Sequence, residues 1–426
     1  MNVLLLCHRL PYPPNKGEKI RAFHILQRLV RKHTVHLGTF IDDPADRKHI
    51  ATVQEIVDGR ALIVPLRRLP ARMRMLSALL AGTPLTTSYF SSAKLRRWVH
   101  ERLSKDSIDR VILFSTAMVP LLDSNNSFPR SHVILDMVDI DSDKWRQYAK
   151  AAIGPRRWIL QREARTLFNL ERQAAGRFFA TLLVSAFEAR GFAALAPEVG
   201  DRIYSVPNGV DLSYFSPGLT WPSPYPERVK PIVMTGTMDY WPNAEGVLWF
   251  ADKVLPTIVA THPTAHFYVV GSRPHWRIRN LFSPNITVTG AVDDVRPYLA
   301  HADAVVAPLR LARGVQNKVL EAFAMEKPVV ASGPATRALA VTNGLELLIA
   351  DEPDAFAEHL LAILAGQVPI DIAAHGRRYV QKNHNWEQCL SVLDDLLNCS
   401  PIVPANPHTP GSLQARNTSV PTVVTR

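Results

Sequence analysis

Short apolar runs alternate with helix-forming stretches along almost the whole chain, and this alternation limits the fold more than any other feature. One series is "NVLLLC", "VHLGTF", "ALIVPL", "DRVILF", "HVILDM" and "FFATLLVSA". A second is "PIVMTG", "AHFYVVG", "NITVTG", "DAVVAPL", "KPVVAS" and "ELLIAD". Apolar residues fill each run, so both faces of the strand need covering, as in a parallel sheet sandwiched by helices. Two series predict two Rossmann-like, doubly wound α/β domains facing a central cleft. The join falls at "YSVPNGVDLSYFSPG", where Pro207, Asn208-Gly209 and Pro217 supply turn and linker chemistry. The expected division is an N-terminal domain over 1–206, a hinge and linker over 207–230 and a C-terminal domain over 231–384. A closing helix over 385–398 follows. The stretch 399–426 is rich in Pro, Ser, Thr and Asn and is expected to be a disordered tail.

The 426 residues suffice for two domains. No stretch approaches about 18 uninterrupted apolar residues, so no membrane span is expected. The start "MNVLLLCHRLPYPP" lacks a basic lead and a small-residue cleavage site, and "NVLLLC" reads as a buried strand. Cys7, Cys389 and Cys399 form neither a disulfide framework nor a metal spacing, which suits a reduced, cytoplasmic protein. Charge is unevenly spread. Residues 1–205 hold 32 Lys and Arg against 19 Asp and Glu, while the remainder holds 17 against 19. The overall +11 therefore belongs to the first half. Basic residues interleave with apolar ones in "PLRRLPARMRM", "KLRRWVHERL" and "GPRRWILQREARTLF". An anionic membrane, a nucleic acid or plain solvent are the three surfaces that such a face suits. No nucleic-acid recognition motif accompanies it.

Four loops at expected strand ends carry the candidate chemistry. In "HRLPYPPNKGEKIRAFHIL" a helix is expected to start near Gly17, which permits close backbone approach; its N-terminus attracts anions and Arg21 lies one turn in. No GxGxxG is present, so the dinucleotide fingerprint is absent. In "VILDMVDIDSDKW", Asp136, Asp139, Asp141 and Asp143 follow a strand expected to end near Leu135. An extended chain would put the last three on one side. Asp139 is the candidate base or hydroxyl acceptor; Asp141 or Ser142 could instead cap the next helix. The spacing is not that of a calcium loop. In "MTGTMDYWPNAEG", Gly236 would admit a ligand to the backbone. In "LRLARGVQNKVLEAFA" a helix is expected from about Gln316. Free N–H groups at Val315, Gln316 and Asn317 suit a diphosphate, Lys318 adds charge, and Glu321 suits the diol of a ribose.

"SVPNGVDLSYF" resembles the interdomain hinge of the family-four glycosyltransferases of GT-B fold, and "KVLEAFAMEKPVVAS" resembles their donor-binding helix and the strand after it. "NGLELLIADEPDAFAEHLLAIL" and "NHNWEQCL" resemble the segments that follow. The opening segment and "DMVDIDSDKW" look similar to the sugar transferases associated with the exosortase (PEP-CTERM) exopolysaccharide system. The resemblance implies a metal-independent, retaining enzyme that needs no cofactor and uses a nucleotide-sugar as substrate, with a glycan or lipid-linked glycan as acceptor. The donor set would be Gly17, Arg21, Gly236, Arg313, Gly314, Val315, Gln316, Asn317, Lys318 and Glu321, with Asp139 as the catalytic candidate. Work on a lipid-linked acceptor implies a cytoplasmic protein, peripheral on the inner face of the membrane and touching its anionic surface. Glu321 matches the second acid of the family's paired-glutamate motif, but Arg313 stands where the first would be. The Gly236 loop lacks the family's usual cations, and Val138 stands at its frequent histidine. Arg313 would then neutralise the diphosphate with Lys318, pair with an acidic donor sugar, or simply point to solvent or pair with a nearby acid. A nucleotide-sugar 2-epimerase and a non-catalytic sugar-nucleotide-binding subunit share the layout and stand as alternatives.

Overall fold

The computed structural model describes residues 1–122, 128–281, 283–368 and 371–399. The expected disordered tail lies, beyond Cys399, outside the described residues.

Seven strands make the first sheet: β1 (Asn2–Cys7), β2 (Thr34–Ile41), β3 (Ala61–Pro65), β4 (Arg110–Phe114), β5 (Val133–Val138), β6 (Ala180–Leu183) and β7 (Ile203–Ser205). Their order is β3-β2-β1-β4-β5-β6-β7, all parallel. Six make the second: β8 (Lys230–Thr235), β9 (Ala265–Val270), β10 (Ile286–Gly290), β11 (Ala304–Ala307), β12 (Val329–Ala331) and β13 (Leu348–Ile349). These run β10-β9-β8-β11-β12-β13, again all parallel. Each sheet reverses its winding beside its first strand, which opens a crevice at the carboxyl ends there. Central strands are buried on both faces: Val3 through Cys7 and Val111 through Leu113 have no exposed surface. That is why their sequences read as unbroken apolar runs.

Each apolar run of the sequence contributes one strand. β7 is the exception, because three residues show no period and it lies at the edge of the stretch that reads as hinge. Past the second domain the chain returns to the first. Trp386, Leu390, Leu393, Leu396 and Leu397 bury themselves with Val3, Leu5 and Ile25, and Trp386 stacks on His24 at 4.3 Å between ring centres. Gly209 lets the hinge pass under that ring, since a Cβ there would lie 2.7 Å from Trp386. Val210 N donates to His384 O, and His384 Nδ1 meets Asn208 O at 2.7 Å. The hinge and the returning segment thus form one joint.

Candidate active site

The loop expected to hold the donor is built from the C-terminal domain. After β11 the chain runs through Arg313 and Gly314 to a helix, Asn317–Ala324. Val319, Leu320, Ala322 and Phe323 bury its inner face. The helix starts one residue later than the sequence suggests, with Gln316 extended as its cap and no side chain closing the cap. The first-turn N–H groups therefore remain open toward the cleft. Lys318 is buried and donates from Nζ to Asn243 Oδ1 at 2.7 Å. Asn243 also donates from Nδ2 to Thr237 O at 2.9 Å. Gly236, at φ +149°, passes so close that a Cβ there would lie 2.9 Å from Asn243 Nδ2 and 3.6 Å from Lys318 Cε. Burial pulls the Lys318 ammonium down to about 8 and lifts the Glu321 carboxyl to about 7, each opposed by the other's charge.

From the N-terminal domain comes the helix Gly17–Val30, capped by Lys16 through backbone alone. A Cβ on Gly17 would stand 3.8 Å from Asn317 Nδ2. Two helix N-termini therefore face each other across the cleft, which concentrates positive potential between them. Asn208 of the hinge donates from Nδ2 to Asn317 Oδ1 at 3.3 Å and so joins the same place.

Asp139 reaches the cleft through a kink. β5 runs on to Val138, where its pairing with β6 shifts and φ becomes +66°. A β-branched residue rarely accepts that conformation, and bulges of this kind re-aim side chains. Asp136 Oδ1 holds the kink by accepting from Val138 N at 3.0 Å. Asp139 then lies against Gly314: any Cβ on Gly314 (φ +58°) would run into Asp139 Oδ1. Burial first, then neighbouring Asp141, push the Asp139 carboxyl up to about 6. Its Oδ1 has no hydrogen-bond partner among the described residues.

Three readings from the sequence need correction. Arg21 does not face a donor. It has no exposed surface; Nε pairs with Asp136 Oδ2 at 2.8 Å, and Nη1 donates to Val206 O at 2.7 Å and Asn208 Oδ1 at 3.2 Å. Its role is to tie the first helix to β5 and the hinge. The aspartates do not share a side, because a helix begins at Asp141 and ends the alternation. Asp141 pairs with Lys144, and Asp143 with Arg146. Neither Asp141 nor Ser142 caps that helix; Ile140 holds the cap position, and Ser142 N donates to Glu171 Oε1 at 3.0 Å.

Arg313 crosses the cleft. It ion-pairs with Asp143 and, at 3.2 Å, with Glu188 Oε1, both of the N-terminal domain. Burial and Asp139 raise the Glu188 carboxyl to about 7. Of the three readings of Arg313, pairing with nearby acids is the one this geometry favours. Asn243 and Glu188 were not singled out by the sequence, and Asn208 was read only as turn chemistry; the only other signal was the Pro-Asn start of the helix after the Gly236 loop. Among the described residues no three His, Cys, Asp or Glu side chains are grouped so that they could hold a metal ion. A surface groove of about 670 Å³ beside Trp249, Asp252 and Arg277 contains none of the cleft residues.

The fold is GT-B. Residues 229–366, about a third of the chain, match the family described as glycosyl transferases group 1. No curated protein matches in sequence. Among solved structures, the chain is similar to Anabaena Alr3699/HepE in complex with UDP and glucose, at 14% identity and a TM-score of 0.63, covering 93% of this chain and 99% of that one. Sucrose-phosphate synthase (tll1590) from Thermosynechococcus elongatus superposes at 18% identity and a TM-score of 0.66, covering 93% and 98%. WaaG, a glycosyltransferase involved in lipopolysaccharide biosynthesis, does so at 14% and 0.63, covering 93% and 100%.

Proposed function

We propose that this protein is a retaining, metal-independent glycosyltransferase that moves a sugar from a nucleotide-sugar to a lipid-linked glycan during exopolysaccharide synthesis. The observation that carries the reading is the pair of facing helix N-termini at Gly17 and Asn317, with Lys318 buried between Gly236 and Asn243. Such a place repels cations and welcomes a diphosphate. Glu321, one turn along the helix Asn317–Ala324, accepts from the ribose diol in this reading.

In this reading the N–H groups of Val315, Gln316 and Asn317, with the Lys318 ammonium, neutralise the leaving diphosphate as the anomeric bond breaks. The donor sugar lies between that diphosphate and Asp139. With its carboxyl near 6, Asp139 is mostly ionised at pH 7 and faces the oxocarbenium-like centre as a counter-charge. The acceptor hydroxyl approaches from the same face as the leaving group, and its proton passes to a departing phosphate oxygen. Arg313, held by Asp143 and Glu188, fastens the two domains together and keeps water from the donor. The excess of basic residues in the first half supports a place at the inner face of an anionic membrane, where a lipid-linked acceptor is met.

A thermal-shift panel of nucleoside diphosphates and their sugars tests the reading. One nucleotide series is expected to raise the melting temperature, and its sugar form to be turned over slowly to diphosphate plus sugar in the presence of a chelator. No stabilisation by any member, or release of an epimerised nucleotide-sugar without an acceptor, refutes it.

A further inference from the structure

The helix Arg68–Ala81 is packed inside out. Its small residues, Ala71 and Ala78, face the body of the protein and are buried. Leu69, Met73, Leu76 and Leu80 recur at helical spacing on the opposite side and are 76%, 67%, 56% and 90% exposed. A helix on a water-facing surface has the reverse arrangement. Ile153 and Trp158, at the start of the helix Gly154–Arg177, are exposed at 88% and 61%.

These two helices touch. Arg162 donates to Ala78 O, Leu79 O and Thr83 O, while Glu163 accepts from the backbones of Leu85 and Thr86. Glu171 is already level with Ser142, just past the carboxyl end of β5. From Glu171 the helix runs about 25 Å back to Gly154, at about 1.5 Å per residue. The apolar stripe lies on the neighbouring helix, whose end Arg162 holds.

The segments that form this face are rich in cations and poor in acids. Residues 59–100 contain eight Lys and Arg and no Asp or Glu, and residues 144–162 contain no acid either. Arg67, Arg68, Arg72, Arg156 and Arg157 are exposed. By contrast, the basic helix Ala93–Lys105 buries its apolar residues Leu95 and Val99 and offers no such stripe.

We infer that this face docks on an anionic phospholipid bilayer, with the Leu69–Leu80 stripe, Ile153 and Trp158 entering the headgroup boundary and the arginines pairing with lipid phosphates. A second copy of the chain fits the face poorly, because a symmetric contact would set arginine against arginine. The inference rests on the transferase reading only for what the cleft would then meet, a lipid-linked acceptor. Docking is measured without any donor, so its failure leaves that reading standing.

The test is co-sedimentation of the full chain with vesicles of phosphatidylcholine alone or containing roughly one-third phosphatidylglycerol. Binding is expected only with the anionic lipid and falls with salt. Leu76→Glu/Leu80→Glu, two exposed positions, is expected to weaken it more than tenfold with an unchanged melting temperature. Arg156→Ser/Arg157→Ser, which leaves the apolar stripe intact, is expected to weaken it as well. Failure of the native chain to pellet with anionic vesicles overturns the inference, as does binding at the native level by both variants. A native dimer in sedimentation velocity that the leucine variant abolishes reassigns the face to self-association and also overturns it.

Discussion

Replacing Arg21 with methionine separates a structural role from a donor-binding one. Arg21 and Asp136 are both without exposed surface and pair at 2.8 Å. Breaking a buried pair by removing one partner costs about 3–5 kcal/mol, because the remaining charge is left uncompensated. Val206 O and Asn208 Oδ1 lose their donor too, but these losses belong to one network and do not simply add. For a domain of about 200 residues, 3–5 kcal/mol corresponds to a fall of roughly 6–20 °C in melting temperature. Burial already raises the Asp136 carboxyl, against the pull of Arg21. Without Arg21 it rises further, so the folded state holds a proton that the unfolded state has lost, and stability falls as pH rises. Arg21→Met is therefore expected to be more stable near pH 5 than near pH 8. Arg21→Met/Asp136→Asn is expected to recover part of the loss at pH 8, since the stranded charge is gone. Thermal unfolding by circular dichroism across that range, with titration calorimetry of the nucleotide, gives the answer. A melting temperature within about 2 °C of native, together with weakened nucleotide binding, would falsify the structural assignment and return Arg21 to the donor site.

Glu321→Ala is expected to weaken nucleoside diphosphate binding by about 1.5–3 kcal/mol in calorimetry, the range for hydrogen bonds to a charged group; unchanged affinity in a folded variant removes Glu321 from the site. In the native chain, binding should strengthen as pH rises through about 7, where Glu321 ionises, and weaken above about 8, where Lys318 loses its proton. The apparent values belong to the coupled pair, and a flat profile contradicts the assignment. Gly314→Ala forces a left-handed backbone at about 1–2 kcal/mol and drives a methyl into Asp139; turnover should fall at least tenfold with nucleotide affinity little changed, and native turnover argues against Asp139 at the reacting centre. Arg313→Glu restores the common family motif but sets an acid against Asp143 and Glu188; domain closure, read by small-angle scattering, should weaken, whereas an unchanged profile with full turnover makes Arg313 a surface residue.

The strands were legible because a strand buried on both faces must be apolar along its whole length, and that requirement is local. β7 was not, since three residues carry no period. The helix Asn317–Ala324 was legible for a related reason: its run shows apolar residues inward, with Lys318 and Glu321 one turn apart. Asp139 could be named from its place after a strand, yet the kink at Val138 that aims it could not, because a positive φ on a valine has no sequence signature. The aspartate run misled for the same reason, as alternation stops where the helix begins at Asp141.

By itself the sequence determined the two parallel sheets, the hinge between them and the helix that offers Lys318 and Glu321. Each follows from periods and turn chemistry within about twenty residues. Tertiary structure alone decided what the arginines do. Arg21 meets Asp136, 115 positions away in the chain, and Arg313 meets Glu188, 125 positions away. A guanidinium reads the same in sequence whether it awaits a phosphate or already holds a carboxylate. Which it does depends on the charges that folding brings within a few ångströms, where desolvation makes pairing obligatory.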